Sequence, residues 1–249
     1  MGLPFTKKSR SKASLSEASS CSSSRSPSRS NSWECLPSLT ITDNAAYKPV
    51  NVLLVGQIYL DTILQMDQFP KEDTKRRAES MEQRRGGNSS NTAEVLAQFP
   101  RVNVWLMSAV GPKETASSLL SQLESRNINT STCINRKMPT PSSFIIHSKE
   151  TGSRTIISCT NTEEITRDEF ARKFEMATIQ KAMEFDPVVP FSWVHFEGRN
   201  INQTLQQIEW LEAKATREGW RPHLTISIEL EKPDREDIDL LLPKVEKHG

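Results

Sequence analysis

The chain has 249 residues, of which 35% are hydrophobic and 25% charged, and its formal net charge is +1. These proportions are typical of a globular protein with a sizeable core, and the balanced charge argues against nucleic acid or a membrane surface as a partner. No stretch is long and apolar enough to span a bilayer, and the four cysteines lack zinc or redox spacing. We therefore expect a cytoplasmic protein.

Residues 1–46 form a serine-rich, basic segment. Its first 30 residues hold six lysines or arginines against the single acidic residue Glu17. Such a segment has too few apolar side chains to offset the entropy of ordering, which predicts a disordered tail. Its Ser-Pro and Arg-x-x-Ser patterns are compatible with phosphorylation and equally with a plain solvated tail.

From residue 47 the pattern changes to alternating strands and helices. Residues 51–56 are a nearly continuous apolar run ending in glycine, which predicts a strand buried on both faces of a largely parallel sheet. Further strands are predicted at residues 102–107, 193–196 and 224–228, and helices at residues 88–99, 114–125, 167–183 and 203–217. This alternation predicts a layered α/β domain over residues 47–249.

Two segments depart from that alternation. Short runs of alternating polar and apolar residues occupy about residues 62–83 and 140–158, and the second run turns at residues 150–153. Period-two alternation around turn residues indicates half-buried strands. We expect these segments to form a small β-sheet lid, with Arg154 just past the turn of a hairpin.

The most informative short stretch is Gly86-Gly87-Asn88, followed by Asn91 at the start of the predicted helix. Paired glycines let the backbone turn sharply and lie against a ligand. Asparagine offers both a donor and an acceptor, which is the pairing that a sugar hydroxyl needs. An isolated Gly-Gly-Asn is equally compatible with an ordinary capped helix after a tight turn, so the neighbouring residues decide.

Charged side chains recur where predicted strands end. Asp61 follows the first strand, Glu197 and Arg199 follow the strand at residues 193–196, and Glu229 follows the strand at residues 224–228. Open α/β sheets bind ligands at the carboxyl ends of their strands. This repeated placement predicts a ligand site there.

These elements together resemble the ribokinase-like (PfkB) carbohydrate kinases, most closely their ketohexokinase branch. The resemblance covers residues 51–240 and rests on Gly86-Gly87-Asn88, Gly152-Ser153-Arg154-Thr155, Glu197-Gly198-Arg199-Asn200 and Glu229-Leu230-Glu231-Lys232-Pro233. It implies transfer of the γ-phosphate of ATP, with Mg²⁺, to a hydroxyl of a ketohexose such as fructose. It also implies a homodimer in which the lid sheets of two subunits clasp.

The resemblance further implies a role for each matching residue. The residues that would bind sugar hydroxyls are Asp61, Gly87, Asn88 and Asn91. Those near the transferred phosphate would be Arg154 and Arg199, with Glu197 orienting Arg199 or helping to hold magnesium through water. Glu229 would face the metal, and Asp73 would reach toward the partner subunit's sugar site. Without the resemblance, Arg154 is equally a solvated hairpin arginine, and Glu229 a carboxylate that caps the next turn.

One expected element is missing. Members of this family carry a Gly-x-Gly-Asp segment whose backbone N–H groups stabilise the phosphate and whose Asp deprotonates the attacking hydroxyl, and the nine glycines of this chain do not provide it. We therefore find no catalytic base, and expect a C-terminally truncated kinase domain that is inactive as written. The alternatives are a non-catalytic sugar-binding or regulatory protein, and a related kinase acting on ribose or a nucleoside.

Overall fold

The computed structural model of the protein describes residues 49–182, 189–230, 232 and 234–244. Within these residues the strands are, in chain order, β1 Val50–Val55, β2 Tyr59–Met66, β3 Ser80–Gly86, β4 Val102–Met107, β5 Ala109–Val110, β6 Ile128–Asn129, β7 Ile134–Asn135, β8 Ser142–Ser148, β9 Arg154–Cys159, β10 Trp193–Glu197 and β11 Thr225–Glu229. The α-helices are α1 Asn88–Leu96, α2 Lys113–Glu124, α3 Arg167–Ala182 and α4 Ile201–Arg217, and 3₁₀ helices cover Arg221–His223 and Ile238–Lys244. The tail predicted at residues 1–46 and the predicted helix end at Met183 lie outside the described residues.

The centre of the domain is a parallel five-stranded sheet in the order β11-β10-β1-β4-β6. β1 lies in the middle, and alternate residues of its apolar run enter two different cores. Leu53 and Val55 pack in a core with side chains from α3 and α4, whereas Val52 and Leu54 pack in a core with side chains from α1 and α2. Helices therefore cover both faces of the sheet, which confirms the predicted layered α/β fold.

A second sheet of four strands, in the order β3-β2-β8-β9, is built from the two segments expected to form a lid, and we call this sheet the lid. β2 and β8 are parallel, and the other two pairs are antiparallel. The sequence placed lid strands at about residues 62–83 and 140–158, and β2 begins three residues earlier because Tyr59 still pairs with Gly86. Asp61, which the sequence places after the first core strand, is the third residue of lid strand β2.

Helix α1 begins directly at Asn88 and ends at Leu96, three residues before the predicted end. Its N-cap is Gly87 with φ of 100°, and no side chain caps the first turn. The Ser90 hydroxyl instead donates to the carbonyl of Gly86 at 2.7 Å. Gly87 thus supplies the left-handed backbone conformation that most residues avoid, and the side chains of the first turn are left to make other contacts.

An ion pair fixes the loop that leads from the lid into α3. Both carboxylate oxygens of Glu169 accept from Arg136, at 2.6 and 2.7 Å, and Glu169 also accepts from the backbone N–H of Thr166. The Thr166 hydroxyl in turn accepts from the backbone N–H of Glu169, which completes a capping box at the start of α3. Arg136 also donates to the backbone carbonyls of Glu163 and Glu164, at 3.0 Å each. The loop backbone at these two residues is therefore fixed.

None of the helices within the described ranges is long and apolar enough to cross a bilayer.

The Arg136 hydrogen bonds lower the pKa of Glu169 from 4.5 to about 2. A lowered folded-state pKa contributes stability that is present above about pH 4.5 and is lost as the pH falls toward 2. We expect Glu169→Gln to reduce the free energy of unfolding by about 1–3 kcal/mol at pH 7, the usual worth of a hydrogen bond to a charged group. Urea unfolding at pH 7 and at pH 3 should show the difference from the wild type shrinking at the lower pH. The control is Asp168→Asn, which changes the neighbouring exposed residue. An equal loss of stability in this variant would contradict the role of the Arg136–Glu169 pair.

Candidate active site

The carboxyl ends of three central strands meet at one edge of the sheet. Glu197 and Glu229 are the last residues of β10 and β11 and lie opposite each other in the strand register. Val55, the last residue of β1, lies opposite Phe196 on the other side of β10. Gly56 and Gln57 then leave β1 beside Glu197, so that the residues after β1 join the two carboxylates at this edge.

Glu197 is the most enclosed charged group of the site, with 7% of its surface exposed. Its Oε2 accepts from the backbone N–H of Gln57 at 2.9 Å and from the Ser89 hydroxyl at 3.1 Å, and its Oε1 accepts from Arg199 Nη1 at 3.2 Å. A buried carboxylate is tolerated only when it is paired and hydrogen-bonded. Glu197 therefore fixes β1, α1 and Arg199 relative to one another.

The Arg199 guanidinium extends from Glu197 toward the lid. Its Nη2 donates to the Tyr59 hydroxyl at 3.0 Å, and that hydroxyl lies 2.9 Å from the Thr160 hydroxyl at the end of the lid. Its Nε lies 3.7 Å from Oε1 of Glu164. Burial by itself would lower the pKa of Arg199. The interactions of the guanidinium with Tyr59, Glu197 and Glu164 are stronger than this effect, so the pKa is raised. The positive charge is thus permanent at this edge of the sheet.

Asn88 lies directly beside the end of β11. Its Nδ2 donates to Oε1 of Glu229 at 2.7 Å, a contact between residues 141 positions apart in the chain. The chain reaches this position through Gly87, where a Cβ atom would overlap the carbonyl oxygen of Gln57. α1 has no side-chain cap because its N-cap residue is glycine, and the Asn88 amide at the first helical position is directed to β11.

Asp61 approaches the same Gly-Gly turn from the lid. A Cβ atom at Gly86 would lie 2.6 Å from the carboxyl carbon of Asp61, so only glycine lets the carboxylate lie against this backbone. In the lid register Asp61 lies opposite Arg84 on β3 and Ser143 on β8. Directly opposite residues share a face, so Arg84, to which the sequence gave no role, lies on the same face as Asp61.

Asn91 lies on the first turn of α1, and its amide oxygen has a partner. Its Oδ1 accepts from Arg85 Nη1 at 3.0 Å. The same arginine donates to the Ser90 hydroxyl and forms an ion pair with Glu94. The structure therefore places Asn91 near the Gly-Gly turn but holds its amide oxygen on Arg85.

Arg154 and Asp73 lie away from this cluster. Arg154 is the first residue of β9 and pairs with His147, whereas Asp61 lies in the row of Ser143 and Ser158. Arg154 is therefore on the face of Asp61 but two strands across and about 13 Å further along the strand direction. Asp73 lies in an exposed turn between β2 and β3, with φ of 54°.

Four residues that contact Glu197 or Arg199 carried no functional expectation from the sequence: Gln57, Tyr59, Ser89 and Glu164. Gln57 and Ser89 lie next to predicted site residues, so adjacency to Gly56 and Asn88 was an available signal. Glu164 lies in a charged segment with no recognisable pattern. The described residues contain no group of three or more side chains arranged to hold a metal ion, so Glu229 is not part of a preformed metal cluster.

Comparison with known proteins identifies the class. The model of the pfkB family carbohydrate kinases matches residues 50–189, and the chain belongs to this family. Mouse ketohexokinase is 30% identical over 191 residues, which are 76% of this chain and 59% of that enzyme.

Solved structures agree on the fold. Ribokinase from Giardia lamblia aligns with a TM-score of 0.60 and 16% identity, over 77% of this chain and 57% of that one. An uncharacterized sugar kinase from Pyrococcus horikoshii aligns with a TM-score of 0.51 and 16% identity, over 73% of this chain and 53% of that one. The fold is ribokinase-like, and the chain spans less than two thirds of the length of these relatives.

The hydrogen bond from Ser89 to Glu197 can be tested by measuring the free energy of unfolding. Ser89→Ala removes one of the donors to a buried carboxylate, and we expect the free energy of unfolding to fall by about 1–3 kcal/mol. Ser118→Ala, at an exposed position of α2, makes the same chemical change in a helix and should alter it by less than about 0.5 kcal/mol. Urea unfolding of both variants measures the difference. Equal effects would show that the Ser89 hydroxyl does not support Glu197.

Proposed function

We propose that this chain binds a ketohexose such as fructose as the sugar-binding part of an ATP-dependent carbohydrate kinase. The observation that carries the proposal is the meeting of Asp61, Asn88 and Glu229 around the Gly86-Gly87 turn. Carboxylate and amide groups that converge on one turn can hydrogen-bond several hydroxyls at once. The 30% identity to mouse ketohexokinase supports a ketohexose as the acceptor.

In this proposal Asp61 accepts hydrogen bonds from two sugar hydroxyls, and Gly87, Asn88 and Asn91 bind the others. Asn91 would do so through groups other than its Arg85-bound oxygen, or after exchanging that partner. The sugar would then lie between the lid strand β2 and the start of α1. Such a position would bring it near the guanidinium of Arg199, which donates to Tyr59 on the same strand.

Arg199 would stabilise charge on the transferred phosphoryl group, because a planar guanidinium can contact two phosphoryl oxygens together. Glu197 would keep the guanidinium in place. Arg154 was expected to add a second positive charge from the lid. It lies two strands across from Asp61 and about 13 Å further along the strand direction, so the proposal assigns the phosphate to Arg199 and not to Arg154.

ATP and Mg²⁺ are the expected co-substrate and metal. Glu229 would supply one carboxylate to the ion, and this fits a metal that usually keeps several waters and takes its other ligands from phosphate oxygens. The metal would neutralise phosphate charge. Because these 249 residues contain no Gly-x-Gly-Asp segment, we propose that they bind sugar but do not transfer phosphate by themselves.

The sugar site is tested by titration calorimetry with D-fructose. We expect Asp61→Ala and Asn88→Ala to weaken binding about tenfold or more, since each removes a strong hydrogen-bonding group. Glu82→Gln, on β3 and on the lid face of Asp61, is the matched control and should bind fructose as the wild type does. Parallel titrations with D-ribose and adenosine identify the preferred acceptor. Unchanged fructose affinity in both site variants would refute the assignment.

We also propose that the lid forms a homodimer interface. The support is a row of apolar lid side chains that are exposed in the single chain: Phe144 is 48% and Ile157 55% exposed, and they lie directly opposite each other on β8 and β9. Burying such a pair against a second lid removes apolar surface from water. Asp73 would then reach the partner subunit's sugar site from the exposed turn before β3.

The dimer is tested by analytical ultracentrifugation. Phe144→Asp combined with Ile157→Asp places two carboxylates on the proposed interface and should convert a dimer to a monomer. Met176→Asp combined with Ile179→Asp, at two comparably exposed positions of α3, should leave the dimer intact. A wild-type monomer, or a dimer that survives the lid substitutions, would contradict this interface.

A further inference from the structure

The Arg199 guanidinium has two carboxylates beside it, and they are held very differently. Glu197 is buried and has three hydrogen-bond donors. Glu164 has a side chain that is 28% exposed, and its Oε1 lies 3.7 Å from Arg199 Nε while accepting from Gln57 Nε2 at 2.9 Å. The Arg199 guanidinium thus lies beside two carboxylates, of which Glu164 is the more loosely bound.

The balance of charge works against Glu164. Burial raises the pKa of Glu164 and the neighbouring carboxylate of Glu197 raises it further, while the positive charges of Arg199 and Arg235 oppose the shift without cancelling it. Two carboxylates beside one guanidinium repel each other. Glu197 is compensated by three hydrogen-bond donors, whereas Glu164 accepts from Gln57 and lies 3.7 Å from Arg199 Nε. An arriving anion would therefore compete with Glu164 for Arg199 and not with Glu197.

Only the side chain of Glu164 needs to move for such an exchange. Its backbone carbonyl accepts from Arg136 Nη2 at 3.0 Å, and Arg136 is fixed by its ion pair with Glu169. Beside the side chain lies a small cavity of about 40 Å³, which Asn200 and Gln203 also line. This space and the solvent-exposed part of the carboxylate allow a rotamer change while the loop backbone keeps its position.

We propose that Glu164 is a resident counter-ion that occupies the phosphate position at Arg199, and that a phosphate monoester dianion displaces it. The inference rests on the proposed function, in which Arg199 faces the transferred phosphate. While the site holds no phosphate, Glu164 keeps the guanidinium at the strand ends and screens its charge. The chain then binds anions at Arg199 more weakly than the guanidinium alone would.

The experiment titrates inorganic phosphate into the ¹⁵N-labelled full chain and follows the Nε–H resonance of Arg199, assigned by its loss in Arg199→Lys. Glu164→Gln removes the charge and keeps the shape and an acceptor for Gln57. Glu163→Gln makes the same charge change at the adjacent, exposed position and is the control. If Glu164 competes for Arg199, the half-saturating phosphate concentration should fall about fivefold to tenfold in Glu164→Gln, given the strength of close charge pairs near a protein surface.

The control variant should respond within twofold of the wild type. A second variant, Glu164→Ala, should reproduce the gain and covers the case in which Glu164→Gln does not fold. Phosphate that leaves the Arg199 resonance unchanged in every form would overturn the proposal, as would equal gains in Glu163→Gln and Glu164→Gln.

Binding of D-fructose, measured on the same samples, separates this proposal from the proposed function. Fructose carries no charge, so its affinity should be the same in Glu164→Gln, Glu163→Gln and the wild type. Fructose binding without any phosphate effect would overturn the role of Glu164 alone. A phosphate effect without fructose binding would retain the role of Glu164 and overturn the sugar assignment.

Discussion

The buried carboxylate of Glu197 is the constraint on which the site depends. Removing a carboxylate from water costs several kcal/mol unless donors replace the lost hydration. Here the donors come from three parts of the chain: the backbone of Gln57 after β1, the hydroxyl of Ser89 in α1, and the guanidinium of Arg199 after β10. Hydrogen bonding to the Glu197 carboxylate therefore requires the end of β1, the first turn of α1 and Arg199 to lie together.

The same network joins the central domain to the lid. Arg199 donates to Tyr59 at the start of β2, and the Tyr59 hydroxyl meets Thr160 just past the end of β9. The chain therefore enters the lid at Tyr59, which contacts the guanidinium, and leaves it at Thr160, which contacts Tyr59. In the proposed kinase chemistry, the group that would contact phosphate is also the group that fixes the base of the lid, so phosphate binding and lid position would be energetically linked.

Much of the fold was predictable because its longer elements have clear periodicity. The apolar run at β1 and the helical spacing of α4 each continue for several residues, so their patterns identified strand and helix. The two-residue strands β5, β6 and β7 were not predicted, since two residues are too few to show a period. The end of α1 was placed three residues too late. In the site, strand-end placement and family resemblance identify Asn88, Glu197 and Glu229, whereas Tyr59 and Glu164 escape prediction because a single residue carries no pattern.

The sequence by itself determined the α/β alternation, the membership of the carbohydrate kinase family and the chemical groups available to a sugar and a phosphate. These follow from local periodicity and from short motifs in a fixed order. Only the tertiary structure decided which groups meet: the Asn88 amide is held by Glu229, the Asn91 oxygen by Arg85, and Arg199 lies between Glu197 and Glu164. The physical reason is that Asn88 with Glu229 and Arg199 with Glu164 join segments far apart in the chain, so the packing of helices, strands and loops, and not local sequence, fixes which of these side chains are neighbours.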